Sequence, residues 1–266
     1  MARAERILWY LNFAAMAALL ARIIYCKLHR TYPWSFRFWL GLAVASGILM
    51  ALPMNTDGYF HMYMVARGVS LILSIFVVQE LYGVALAAHP GLSVFGRRSM
   101  LTILGIAAFC ALAGVGVDFK ILPGQYWGIN RFLAVDRTVE FIILVFLVVI
   151  GVFLLWFPVK IRRNMAIYIA GFMGYHGSQT VAQLAHNLLP QKFAQATSVS
   201  AMAMVLLCLL IWLTALRKER EAPAIVAGHG WNPAVAVRLT VQLDQINMAL
   251  AKFQYCPAIS GTGSAG

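Results

Sequence analysis

Seven apolar runs recur along this chain, near residues 7–25, 36–53, 63–87, 99–117, 138–157, 166–188 and 198–216. Each is close to the roughly 20 residues that carry an α-helix across about 30 Å of hydrocarbon. Lipid offers no partner to a backbone N–H or C=O, so a run of this kind must bond internally, as a helix. Proline agrees with the cuts, because Pro33, Pro53, Pro90, Pro158 and Pro190 fall at run ends or in connections and interrupt none of them. Of 266 residues, 62% are hydrophobic and 11% charged, against about 45–50% and about 25% in a soluble domain. Too few polar residues remain to cover a soluble core. The expected fold is all-α: a polytopic membrane protein with a seven-transmembrane-helix bundle over 1–217 and a tail over 218–266. Arg3 and Arg6 precede the first run as in a secretory signal, but Ile7 to Tyr25 is too long for a signal's apolar region, so it is read as the first span.

The formal charge of +12 does not point to nucleic acid, because the 21 Lys and Arg are spread in short clusters between the apolar runs. That distribution orients a membrane protein. Lys27, Arg30 and Arg37 lie around the first connection, Arg97 and Arg98 in the third, Lys160, Arg162 and Arg163 in the fifth, and Arg217, Lys218 and Arg220 after the last run. The second connection holds Asp57 without a basic residue, the fourth mixes Lys120, Arg131 and Arg137 with Asp118 and Asp136, and the sixth has Lys192 alone. Odd connections and tail are therefore expected inside, giving N-out and C-in in a cell membrane with a cytoplasmic C-terminus, although Arg3 and Arg6 pull mildly the other way. The fourth connection, 118–137, reads as the longest, with Tyr126 and Trp127 at headgroup level. Cys26, Cys110, Cys208 and Cys256 have no CxxC spacing and imply neither a disulfide nor a metal site.

In the tail, Asn232-Pro233 is an N-cap and first-turn pair that starts a helix near 233–253. Ala236, Leu239, Leu243, Ile246, Leu250 and Phe253 form its apolar stripe, opposite Arg238, Gln242, Gln245 and Lys252. Such a stripe must be covered. The protein's own inner face, the membrane surface, a second copy and a cytoplasmic protein partner all remain open.

Polar groups inside a bilayer are costly and mark the places to look for function. In the sixth run His176, Gln179, Gln183 and His186 share one helical face. They serve either as hydrogen-bonding glue between helices or as a ligand, ion or proton site. Arg67 in the third run is expected to meet Glu140 or Asp136 at the start of the fifth. A sharper reading has Arg67, His61, Glu140, Gln183 and His186 lining an outward pocket for a small, anionic ligand. Glu80 is expected to reach Arg22 or the basic inner connections, or to titrate in a proton path. Gly171, Gly174 and Gly177 suggest close helix packing.

Several chemistries lack their residues. The last run, 198–216, has no lysine for a retinal Schiff base, the histidines do not converge as zinc or haem ligands, Ser178 and His176 point apart on a helix, and no phosphate loop is present. No catalytic residue, metal or cofactor is expected. The seven runs, the QELYG segment from Gln79 to Gly83, Trp231-Asn-Pro233 and Gln242-Leu-Asp-Gln-Ile-Asn247 resemble uncharacterised bacterial seven-helix membrane proteins. That resemblance implies a bacterial cytoplasmic membrane and no activity. The leading functional expectation is a sensor or receptor-like module with an outward polar pocket; a small-solute or proton-coupled transporter and a non-catalytic accessory subunit are the alternatives.

Overall fold

A computed structural model describes residues 3–53, 56–118, 127–157, 159–188, 193–221, 225–226 and 232–254. The chain is nearly all helical: α1 (Arg3–Tyr25), α2 (Pro33–Ala51), α3 (Asp57–Ala85), α4 (Pro90–Asp118), α5 (Trp127–Trp156), α6 (Arg163–Leu188), α7 (Ala194–Ala215) and α8 (Pro233–Gln254). Two short strands, β1 (Lys160–Ile161) and β2 (Ile225–Val226), pair antiparallel. Five helices, α1, α2, α3, α5 and α7, contain stretches long and apolar enough to cross a membrane.

Local chemistry explains the ends. Pro33, Pro90 and Pro233 each occupy the first helical position, where a missing N–H costs nothing. Thr56 caps α3 by accepting from the Tyr59 N–H at 3.3 Å, and Asn232 caps α8 by accepting from the Ala234 N–H at 3.2 Å. After α1 the chain turns at Lys27, whose φ of 57° is left-handed.

The fourth connection is shorter than its charges suggested. α5 begins at Trp127, so Arg131, Asp136 and Arg137 are helical, and only 119–126 between α4 and α5 lie outside the described residues. The helix continues because Val135, Val139 and Ile142 carry the apolar three-and-four spacing upstream, and because Asp136 finds a charged partner in the bundle.

The helices α1, α2, α3, α5, α6 and α7 pack in a closed ring, each against the next and α7 against α1, while α4 lies outside against α3 and α5 and carries α8. The interior is an aromatic layer in which Trp39 meets Phe172, Tyr175 and Trp212, and Phe38 packs edge-on to Phe172 and Tyr175. At Gly171 the approach of α6 and α7 is so close that a β-carbon would overlap the Trp212 indole, whose Nε1 donates to the Ile167 carbonyl at 3.2 Å. Of the other ridge glycines, Gly174 faces Cys208 on α7 and Gly177 faces Leu144 on α5.

One end of the bundle gathers the basic connections. Arg22 Nε donates to the Leu216 carbonyl at 2.9 Å, Asn164 Nδ2 donates to the Arg217 carbonyl at 2.8 Å, and β1 and β2 join the α5–α6 connection to the tail. α8 docks on the start of α4, where Asn247 Oδ1 accepts from the Gly91 and Leu92 N–H groups at 2.8 and 3.3 Å. Leu243 is buried and Ala236, Leu239 and Leu250 are half-buried, but Ile246 is exposed. Gly91 allows this seat, since a β-carbon there would collide with the Asn247 backbone.

Candidate functional site

The densest polar cluster lies where α3, α5 and α6 meet, toward the end opposite the basic connections. Asp136 and Glu140 are four apart on α5 and so face one way. Arg67 of α3 spans them: Nε donates to Asp136 Oδ1 at 2.8 Å and Nη2 to Glu140 Oε1 at 2.6 Å. The other oxygen of each carboxylate is held by α6. Gln183 Nε2 donates to Asp136 Oδ2 at 2.8 Å, and His176 Nδ1 lies 2.5 Å from Glu140 Oε2. With Glu140 ionised, His176 Nδ1 is the donor, which assigns the tautomer.

Burial makes this arrangement expensive to disturb. Asp136, Glu140 and His176 are 4%, 1% and 1% exposed. Removing two carboxylates and a guanidinium from water is tolerable only because both acids share the guanidinium and every carboxylate oxygen accepts a hydrogen bond. The Tyr175 ring packs edge-on to His176. The balance is uneven: one guanidinium faces two carboxylates, so the cluster is one negative charge in excess while His176 is neutral and balanced once His176 is an imidazolium.

Three polar atoms beside the cluster have no hydrogen-bond partner: His176 Nε2, Thr180 Oγ1 and Gln183 Oε1. All three are buried and, at spacings of four and three, they form a row on one face of α6. His176 and Gln183 therefore each spend one polar atom on a carboxylate and keep the other unused, and Thr180 stands between them on the same face.

Of the residues singled out from sequence, Arg67, Glu140, His176 and Gln183 are brought together. Gln179 is half-buried on α6 with no hydrogen bond to the cluster, and the His186 side chain lies outside the described residues. His61 is not in the cluster; it is exposed near the start of α3, with Nδ1 2.7 Å from the Asp57 carbonyl oxygen of its own helix. Glu80 and Arg22 do not meet. Glu80 accepts from the Trp34 and Ser35 N–H groups at 2.9 and 3.0 Å and from the Ser35 hydroxyl at 3.1 Å, capping α2, while Arg22 satisfies the last turn of α7. An acid at a helix N-terminus and a base at a C-terminus are the arrangement the helix dipole favours.

Sequence reasoning counted Asp136 in the fourth connection while offering it as a partner of Arg67, which it is, and passed over Thr180. An Asp and Glu four apart beside an apolar run was the available signal for the first; nothing in a single threonine signals the second. Among the described residues, no three His, Cys, Asp or Glu gather as a metal-binding set. No protein family, curated protein or solved structure matches the chain.

Proposed function

We propose that this chain is a seven-helix membrane sensor in which the α3–α5–α6 cluster takes up a proton at His176 and passes the change, through α5 and α4, to α8. In this reading α4 and α6 cross the bilayer with the five more apolar helices, the basic end faces the cytoplasm of a bacterial cell, and α8 is the element a cytoplasmic partner reads. The single observation that carries it is the buried, unpartnered His176 Nε2 in a cluster one positive charge short of balance. Protonation there adds the missing charge, facing Arg67 on α3, Asp136 and Glu140 on α5 and Tyr175 on α6. The charge balance favours a proton or a hydrogen-bond donor over the anionic ligand suggested by Arg67 alone, and a site this enclosed suits the smallest input. The mechanical route is contiguous, since α5 packs on α4 and α4 seats α8.

A transporter would need a polar path from the cluster to the Glu80 end. Between Arg67 and Glu80, α3 buries Leu71, Val77 and Val78, together with the polar Ser70, Ser74 and Gln79, and the Ser74 hydroxyl is spent on the Ser70 carbonyl of its own helix at 2.9 Å. With Ile143 and Leu147 of α5 also buried, the apolar share of that stretch favours a sensor.

The test is hydrogen exchange along α4 and α8, corrected for intrinsic rates and compared between about pH 8 and about pH 5. Wild type should change protection in α8 and the His176→Gln variant, which keeps a donor for Glu140 but cannot titrate, should not. Equal behaviour of the two proteins refutes the proposal. Proton flux into dye-loaded liposomes, abolished by the same variant, would replace it with transport.

A further inference from the structure

At the basic end a cavity of about 510 Å³ opens between α2, α3 and α4. Its floor is α3, from Phe76 to Val84; one wall is the single 3₁₀ turn Leu28–Arg30 with the start of α2, and the other is α4 at Arg97. Three features of this groove are unused by the fold.

First, Arg30 and Arg97 reach it from opposite walls, both are exposed, and neither side chain makes an ion pair or hydrogen bond among the described residues. The one carboxylate in the lining, Glu80, is not theirs, because both of its oxygens are taken by the N-terminus of α2 and the Ser35 hydroxyl. Second, Gln79 lines the cavity, and its side-chain amide makes no hydrogen bond among the described residues. It is not one of the sealed unpartnered groups of the interior, so its donors and acceptor are open to a group bound in the cavity. Third, the lining changes character along its length. The stacked Trp34 and Phe76 rings, 4.4 Å apart, with Val84, form an apolar wall, and Gly83 leaves open space in the floor, with no atom within 4 Å of where a β-carbon would stand.

We infer that this groove binds a phosphate-bearing anion, with the phosphate between Arg30 and Arg97 and an apolar portion along Trp34 and Phe76. Two guanidinium forks offer paired N–H donors to phosphate oxygens, and Gln79 can donate to a third acceptor such as a glycerol ester oxygen. A polar end at the helix termini joined to an apolar wall that runs along α3 matches an anionic phospholipid; a soluble phosphate ester shares the headgroup chemistry. This site is independent of the His176 cluster, and neither reading requires the other.

The test uses the full chain, delipidated in detergent and titrated with phosphatidylglycerol or phosphatidylcholine, with bound lipid counted by native mass spectrometry. Wild type should prefer phosphatidylglycerol. Arg30→Gln and Arg97→Gln should each weaken it about fivefold, and roughly 25-fold together, as expected for loss of one basic residue apiece near an anionic headgroup. Gly83→Leu should abolish binding by filling the floor without changing charge; leucine suits a helix interior better than glycine, so this variant should melt no lower than wild type in the absence of lipid. Glycerol 1-phosphate separates the sources: competition at the concentration of the lipid assigns the site to a soluble ester, and no competition assigns it to the lipid. Equal binding of the two lipids by wild type, or wild-type affinity in the double arginine variant, overturns the inference, and the arginine variants alone decide it should Gly83→Leu fail to fold.

Discussion

The two polar regions of this bundle handle buried charge in opposite ways. Around Arg67 the charges satisfy one another: three helices contribute side chains, every carboxylate oxygen has a partner, and the site is sealed. Around Glu80 the carboxylate is satisfied by the backbone of a neighbouring helix, Arg37 stacks on the Trp34 ring, and Arg30 and Arg97 are left over. The first arrangement consumes its charges for cohesion and keeps only the α6 row in reserve. The second needs just one acid for cohesion and leaves its cations free for something outside the chain. Whether a charged residue serves stability or recognition therefore depends on what already neutralises its neighbours, not on residue type.

This contrast can be broken by comparing arginines and acids across the two regions, reading stability from reversible unfolding in mixed micelles. The largest effect should come from Arg67→Met, which strands Asp136 and Glu140 together and should cost about 3–5 kcal/mol; a loss under about 1 kcal/mol would mean that water already reaches the cluster and that it is not sealed. Glu80→Ala should cost about 2 kcal/mol, the scale of charge-assisted hydrogen bonds, with the loss concentrated in exchange protection at the start of α2. If the loss appears at α1 or α7 instead, the role of Glu80 is not that of a cap. Gln183→Leu should cost about 1 kcal/mol, because it frees Asp136 Oδ2 while removing the unpartnered Gln183 oxygen. Arg30→Gln and Arg97→Gln should each stay within about 0.5 kcal/mol of wild type in lipid-free detergent, and a larger loss would show that these residues hold the fold.

The helices themselves were legible. Each of the seven long apolar runs falls within or close to one of α1 through α7, and the stripe after Asn232-Pro233 lies in α8. But α3, α4 and α5 start six, nine and eleven residues before their runs, so that Arg97 and Arg98, expected in a connection, stand on α4. The exception is instructive: Asp136 and Arg137 made 118–137 look like a loop, because a charge counts against a lipid-facing helix when its partner is unknown. Arg67 was a foreseeable partner, since an arginine at that depth must be neutralised. The pairing of Glu80 was not. It was expected to reach Arg22 or the basic inner connections, or to titrate in a proton path, whereas the structure gives it the amide groups of Trp34 and Ser35, which carry no mark in the sequence beyond Pro33 opening a helix.

Hydrophobicity and its period act locally, along a single helix, and so the sequence by itself determined that this chain is a set of long helices and where the apolar stretch of each lies. How far α4 and α5 continue through charged residues was not determined in this way, and for α5 a partner elsewhere in the bundle decided it. Which helices touch is decided by shape and by the few polar atoms that need partners, and these meet only across distances of tens of residues. The closeness allowed by Gly171 beside Trp212, the sharing of Glu140 between Arg67 and His176, the row of unused atoms on α6 and the empty floor at Gly83 all belong to that second class. They are properties of neighbours, and a neighbour exists only once the chain has folded.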